Sequence, residues 1–366
     1  MTRTQHLHGV VLPDLVERDL FIVDRKLTLE PQDDFETIVH DGYLIPGLVD
    51  AHAHLPFASP APEEASWAEK AVASARVHLD AGVLTVRDPG GPTPTGLGPR
   101  DGLPRTITAG RFLAAPGMMF PEHGQRELPE EQIPDAAEEE FASSGSWVKL
   151  IGDFIDPSGR MATSFRPETL ADAARRVHAL GGRITIHAFL DDTIDAAIDA
   201  GFDCIEHGVM LREDQVEAMA ARDMALVPTL RTGLEMWPQI VQFVPTAPEE
   251  KDRVAKALSR YSDAVRTAWE AGVTILAGTD AGLVSHGLVR LEVEALIAAG
   301  IPPIDAIAAA SWGARTYLGL PGLEESAPAD VVAFDRNPLE DSTVLAEPRL
   351  IVLDGRVVRR GVPAVA

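Results

Sequence analysis

Two histidines one residue apart, His52-Ala53-His54, close the apolar run LIPGLVDA. Further donors stand in or after later apolar runs: Lys149 within WVKLIG, His187 after ITI, His207 after CIE and Asp280 after LAGT. Residues i and i+2 of a strand point to the same side, so His52 and His54 can face one ion. Imidazole and carboxylate donors of this kind suit Zn²⁺, Mn²⁺, Fe²⁺ or Co²⁺. His187 and His207 would hold a second ion. Either one alone reads as a core histidine; two at the ends of consecutive apolar strands favour ligation. Asp280 could ligate a metal and take a proton from bound water as general base, the alternative being a helix N-cap. The pair His6-Leu7-His8 has the same spacing near a terminus, without such partners, and is expected simply at the surface.

Lys149 is unusual in an apolar strand, because an unpaired ammonium is costly to bury. Two readings are open. It could pair with an acid such as Asp280. Alternatively, burial lowers its pKa, exposes the neutral amine and lets it take up CO₂, giving an anionic carbamate able to bridge two cations. The chain has five lysines, and Lys149 is the one between Lys70 and Lys251.

Other candidates carry less signal. His123, in PGMMFPEHGQ, could polarise a substrate carbonyl, bind its anionic end, or be a solvated loop residue. Arg231, just after VPTL, could bind a substrate carboxylate or lie on the surface. Arg87 and Asp88 are expected to pair with each other and shape the floor of the site. His178 is expected to be structural, and His286 to lie within reach of the mouth. The tryptophans are expected in core or lid packing and Cys204 in the core.

These donors must be positioned by a scaffold, and the middle of the chain supplies a repeating one. In HLDAGVLTVRD, HALGGRITIH, AIDAGFDCIEH and WEAGVTILAGTD an alanine-rich stretch ends in Gly, then an apolar strand ends in a polar residue. Gly82, Gly182, Gly201 and Gly272 suit the left-handed position that closes a helix. Leu170, Ala173, Ala174 and Val177 recur at helical spacing after Pro167, which suits a first turn. Eight strand candidates lie at 48–54, 83–88, 105–110, 147–151, 183–188, 203–207, 224–229 and 273–279. Alternating helices and strands predict parallel βα units. Their number predicts an α/β fold of the (β/α)8 TIM-barrel type over residues 47–320, close to the usual length of about 250. Such barrels place their active sites at the strands' C-terminal ends, where these donors stand. An open doubly wound sheet is the alternative, but no Gly-rich phosphate fingerprint follows the first strand.

Both ends read differently. HGVVLP, LFIVDRKLTLE and ETIVHDGYLIPG near the start are short strands between turns, as are DVVAFD and LIVLDGRVVRR near the end. Asp354-Gly355 between apolar runs predicts a hairpin. Neither end can build its own core, so residues 1–46 and 321–366 are expected to form one small composite domain, a β-sandwich.

Composition narrows the function classes. The formal net charge of −24 disfavours nucleic acid and anionic membranes as partners. One cysteine excludes an intramolecular disulfide. No apolar run reaches 18 residues and the start lacks a signal-peptide pattern, so the expected location is cytoplasmic. The expected partner is a small-molecule substrate; a homo-oligomer is compatible with the sequence, which does not determine it.

The combined segments LIPGLVDAHAHL, GVLTVRDPGG, WVKLIG, ITIHA, AGFDCIEHGVML, VPTL, AGTDAG and HGLVRLEVEALIAAGIPPIDAIAAASWGARTYLGL carry a resemblance. The chain resembles the amidohydrolase superfamily, in its imidazolonepropionase-like and prolidase-like branch. That resemblance covers nearly the whole chain. It implies a binuclear centre with carbamylated Lys149 bridging two divalent ions, such as zinc. His52 and His54 would sit on one ion, His187 and His207 on the other, and Asp280 beside the first. A metal-bridging hydroxide would attack an amide carbonyl of a dipeptide, N-acyl amino acid or cyclic amide, with Asp280 passing the proton to the leaving nitrogen. The loop after the third strand departs from the pattern: it reads Pro121-Glu122-His123-Gly124 where prolidase-like relatives often have Gly-Gly-His-Gly. Rival readings are a mononuclear deaminase, an esterase, lactonase or carbamate hydrolase on the same scaffold, and a non-catalytic relative. Deaminases place a Glu where this chain has Leu190.

Overall fold

The computed structural model describes residues 3–92, 96–120, 123–243 and 246–360. The fold is mixed α/β. Each of the eight strand candidates contains a strand, though several are shorter: Leu48–Asp50, Val83–Asp88, Arg105–Thr108, Trp147–Ile151, Arg183–Ala188, Cys204–His207, Ala225–Val227 and Thr274–Ile275. Their pairings are parallel, within a three-stranded and a seven-stranded sheet.

The division has a local cause. After Arg105–Thr108, which pairs with Val83–Asp88, the chain turns at Gly110 (φ 75°). It resumes as Leu113–Ala114, which pairs with Trp147–Ile151. On the other flank, direct bonds join the two sheets: Ala51 N–H donates to Ala277 O at 2.8 Å, and Asp280 N–H to His52 O at 2.8 Å. The segments bearing His52 and Asp280 therefore lie side by side. Trp147–Ile151 is buried at every position, as strands covered on both faces require.

The helix Pro167–Ala179 buries Leu170, Ala173, Ala174 and Val177, the predicted stripe, and begins with Pro167. Gly82, Gly201 and Gly272 follow helices with positive φ. In the third repeat Gly181 takes that conformation instead of Gly182. A Cβ on Gly182 would meet the Phe141 ring at 2.5 Å, so close packing explains that glycine. Beyond Trp147–Ile151 the chain forms a hairpin, Asp153–Ile155 with Met161–Thr163.

The strands of the two chain ends do pair. Tyr43–Pro46 runs antiparallel to Val331–Phe334, and eight strands in all form one hydrogen-bonded sheet around Leu7, Leu20, Leu27, Leu44 and Val331. The strands are connected as a single sheet, with Thr4–Val11 pairing to three others. Asp354 and Gly355 both have positive φ and turn the last hairpin, as predicted. His6 corrects another expectation: it is only 9% exposed, with Nδ1 at 3.0 Å from Thr37 Oγ1 and Nε2 at 2.8 Å from Asp19 Oδ1. His8 faces the same Asp19 at 2.8 Å. The pair thus ties neighbouring strands together. Among the described residues no helix is long and apolar enough to cross a membrane.

Gly278 sits where the two sheets meet. A Cβ there would lie 2.5 Å from Val227 Cγ1, 2.6 Å from His52 Cβ and 3.0 Å from His52 N. Backbone cannot yield as a side chain can. Gly278→Ala is expected to cost about 1–3 kcal/mol through overpacking, read as a lower urea midpoint. An unchanged midpoint would show that the strands separate freely.

Candidate metal centre and active site

Six of the predicted donors line one cavity: His52, His54, Lys149, His187, His207 and Asp280. His52, His54 and Asp280 offer donor atoms within 4.8 Å of one another. Asp280 Oδ1 lies 3.3 Å from His52 Nε2 and 3.6 Å from His54 Nε2. The imidazoles continue as a chain, with ring centroids 5.1 Å apart from His52 to His207 and 4.5 Å from His207 to His187.

Three of the four rings are held from behind, as metal-binding histidines usually are. His54 Nδ1 lies 2.6 Å from Gly90 O, and His207 Nδ1 lies 2.8 Å from Thr229 Oγ1. His52 Nδ1 lies 2.7 Å from Glu206 Oε2. His187 differs: its Nε2 is buried and has no hydrogen-bond partner. Buried polar atoms are normally satisfied, so this nitrogen calls for a ligand.

The electrostatics favour cations. Burial and the charge of His52 push His54 down to about 3, and burial takes His207 to about 3 and His187 well below the imidazole range. These rings are neutral at pH 7, the state that ligates a metal. Burial alone would raise Asp280, but the neighbouring His52, His207 and His54 hold it well below the usual carboxylate range. Burial pulls Lys149 down to about 8, against the attraction of Glu206. Its amine is thus partly neutral near physiological pH, the form that reacts with CO₂.

The cavity's other wall is apolar and includes Phe57, Phe112, Phe120, Phe154 and Trp237. His123 is on that wall, its ring 4.8 Å from Phe57 and 5.7 Å from Phe120. Pro121 and Glu122 of the same loop lie outside the described residues.

An amidohydrolase family model matches residues 43–358. The chain belongs to the amidohydrolase family. It is a hydrolytic enzyme of carbon–nitrogen bonds. An uncharacterized protein of Mycobacterium tuberculosis is 38% identical over 354 residues, 96% of this chain and 95% of the relative. Ochratoxinase of Aspergillus niger is 28% identical over 262 residues, 67% of this chain and 54% of that protein. Its crystal structure superposes with a TM-score of 0.79 at 21% identity, covering 98% and 96% of the two chains. A Xaa-Pro dipeptidase with methionine bound in its active site superposes with a TM-score of 0.81 at 24% identity, covering 97% and 99%.

Not every predicted residue joins the site of this amidohydrolase. The Arg231 guanidinium pairs with Glu235 at 2.7 Å and does not line the cavity. His286 is only 5% exposed, with Nδ1 3.1 Å from His78 Nε2 and Nε2 2.7 Å from Phe57 O. It braces the wall from behind. Arg87 turns away from its neighbour to Glu206 at 2.7 Å, while Asp88 Oδ1 accepts the Gly90 N–H at 3.0 Å. Adjacent strand residues point to opposite faces, which is why the expected Arg87–Asp88 pair does not form.

Glu206 is the residue sequence reasoning missed. It is fully buried and touches Arg87, His52 and Thr185. Burial would raise its pKa, but Arg87, Lys149 and His52 hold it well below the carboxylate range. The signal was available, since a charged residue inside the apolar strand CIEH raises the same question as Lys149 in WVKLIG. Glu206→Gln would strand the Arg87 charge and loosen His52. We expect a stability loss of about 3–5 kcal/mol in urea unfolding. Metal affinity should fall about 10–100-fold in a chelator competition titration. A variant that binds metal like the wild type would remove Glu206 from the site. Arg231→Ala, by contrast, should keep kcat/KM within about twofold, as expected for a surface pair.

Proposed function

We propose that this chain is a binuclear metal-dependent amidohydrolase that cleaves a small-molecule amide. The observation that carries the reading is the convergence of six donor side chains on one cavity, with His187 Nε2 buried and unsatisfied. His52, His54, His187, His207 and Asp280 would hold two divalent ions, zinc suiting the donor set, and Lys149 would bridge them as its carbamate. The ions would supply an activated water and polarise the substrate carbonyl. Asp280 would take the proton of that water and deliver it to the leaving nitrogen, so the C–N bond breaks as a C–O bond forms. His123 would face the substrate from the opposite wall.

The scaffold in this reading is a (β/α)8 barrel over residues 47–320, with residues 1–46 and 321–366 as a small β domain. Similarity to an ochratoxinase and to a Xaa-Pro dipeptidase supports an amide as the bond cleaved. A mononuclear deaminase would leave Lys149 without a role.

Metal analysis of the purified chain, with and without Lys149→Ala, tests the reading. The wild type should carry about two ions per chain, as binuclear sites do. Lys149→Ala should lose metal and lower kcat/KM by about a thousandfold, the scale of removing one group that stabilises developing charge. One ion per chain and an unchanged Lys149→Ala enzyme would overturn the mechanism and make Lys149 an ion-pair residue.

A further inference from the structure

We infer that the substrate is a neutral amide with an aromatic group beside the scissile bond and no free carboxylate next to it. The inference deepens the amide-hydrolase reading and rests on it.

The wall facing the metal-binding side chains is built from rings. Phe120 meets Phe154 edge-to-face at 4.9 Å, and Phe154 meets Trp237 at 6.4 Å with planes 69° apart. Phe189 backs Trp237 at 4.1 Å, so the indole is held rather than free to swing. Trp237 and Phe154 are each only 3% exposed. Rings fixed in this way offer edges and faces to another ring, and an aromatic ligand gains more from them than from their area alone.

The same wall lacks what a carboxylate needs. No arginine lines the cavity among the described residues, and Lys149 is its one lysine, deep among the metal-binding side chains. Arg231, the natural candidate, is committed to Glu235. Lys70 lies in an outer recess that adjoins the cavity through Phe57, His123 and Gly282, on the side away from Phe154 and Trp237; its Nζ is 4.9 Å over the Trp67 ring and Glu63 lines the same recess. A carboxylate against Phe154 and Trp237 would be desolvated with no arginine or lysine beside it, which is strongly unfavourable. At the metals it would take the place of the reacting carbonyl. His123, whose ring packs against Phe57 and Phe120, is the polar side chain on that wall.

Paired substrates test this on the metal-loaded full chain. N-benzoyl-2-phenylethylamine and N-benzoylphenylalanine share one skeleton and differ by a carboxylate. In each, water adds to the benzoyl carbon, the C–N bond breaks, and amine and benzoate leave. We expect kcat/KM at least about tenfold higher for the neutral amide, since an unpaired buried group discriminates that strongly. Trp237→Ala should raise KM for that amide about tenfold with little change in kcat, and Trp237→Phe should restore it. N-ethylacetamide, which has no ring to lose, should respond little to either substitution. Unchanged metal content and unfolding midpoint in Trp237→Ala would exclude a folding defect. Faster cleavage of N-benzoylphenylalanine, or an equal effect of Trp237→Ala on both amides, would overturn the inference and leave the amide-hydrolase reading standing. Cleavage of no amide at full metal loading would overturn that reading, and the inference with it.

Discussion

The centre of this enzyme depends on one buried carboxylate. Glu206 is wholly excluded from solvent, which no carboxylate tolerates alone. It survives because Arg87 donates to Oε1 at 2.7 Å, Thr185 Oγ1 donates to the same oxygen, and His52 Nδ1 takes Oε2 at 2.7 Å. Arg87 needs support of its own. It lies 4.1 Å over the Trp147 ring and donates to Ala51 O at 3.0 Å. Arg87 and Thr185 come from separate strands and His52 from the segment after a third, so one charge cluster sets the relative position of these segments and the orientation of His52. With Nδ1 engaged by Glu206, Nε2 is the atom left to face Asp280.

Beyond the strand ends the chain is held by polar contacts where regular pairing stops. Asp50 accepts the His52 N–H at 3.2 Å, the Thr279 N–H at 3.1 Å and the Thr279 hydroxyl at 2.6 Å. It thereby clamps the two segments that carry His52 and Asp280. Asp153 does the same beyond His187, accepting the N–H groups of Phe189 and Leu190. His207, Thr229 and Asp280 all have positive φ, a conformation that side-chain-bearing residues rarely adopt. Such backbone persists only when its surroundings over-determine it, and here each lies at or beside the cavity. The strain aims side chains that a relaxed strand would point elsewhere.

The cavity joins two unlike surfaces. One offers nitrogen and oxygen donors; the other is a set of packed aromatic rings. A polar reacting centre can meet the first while an apolar group settles against the second. Little water would remain between them, which strengthens every electrostatic interaction at the reacting carbonyl.

Much of this was legible in the chain itself. Strand existence, the helix after Pro167, the Asp354-Gly355 hairpin and the six donors all follow from local rules: periodicity, turn chemistry, and the cost of placing a charged or imidazole group in an apolar strand. Pairings among side chains were not legible. Arg87 chooses Glu206 over adjacent Asp88, Arg231 chooses Glu235 over the cavity, and His6 is buried against Thr37 and Asp19. The aromatic wall is likewise assembled from Phe57, Phe112, Phe120, Phe154 and Trp237, residues far apart in sequence with no shared motif. Sequence alone determined which residues could do chemistry, because residue type and strand position are local properties. Tertiary structure decided which of them meet and what they face, because contact between distant segments depends on how every strand packs on its neighbours.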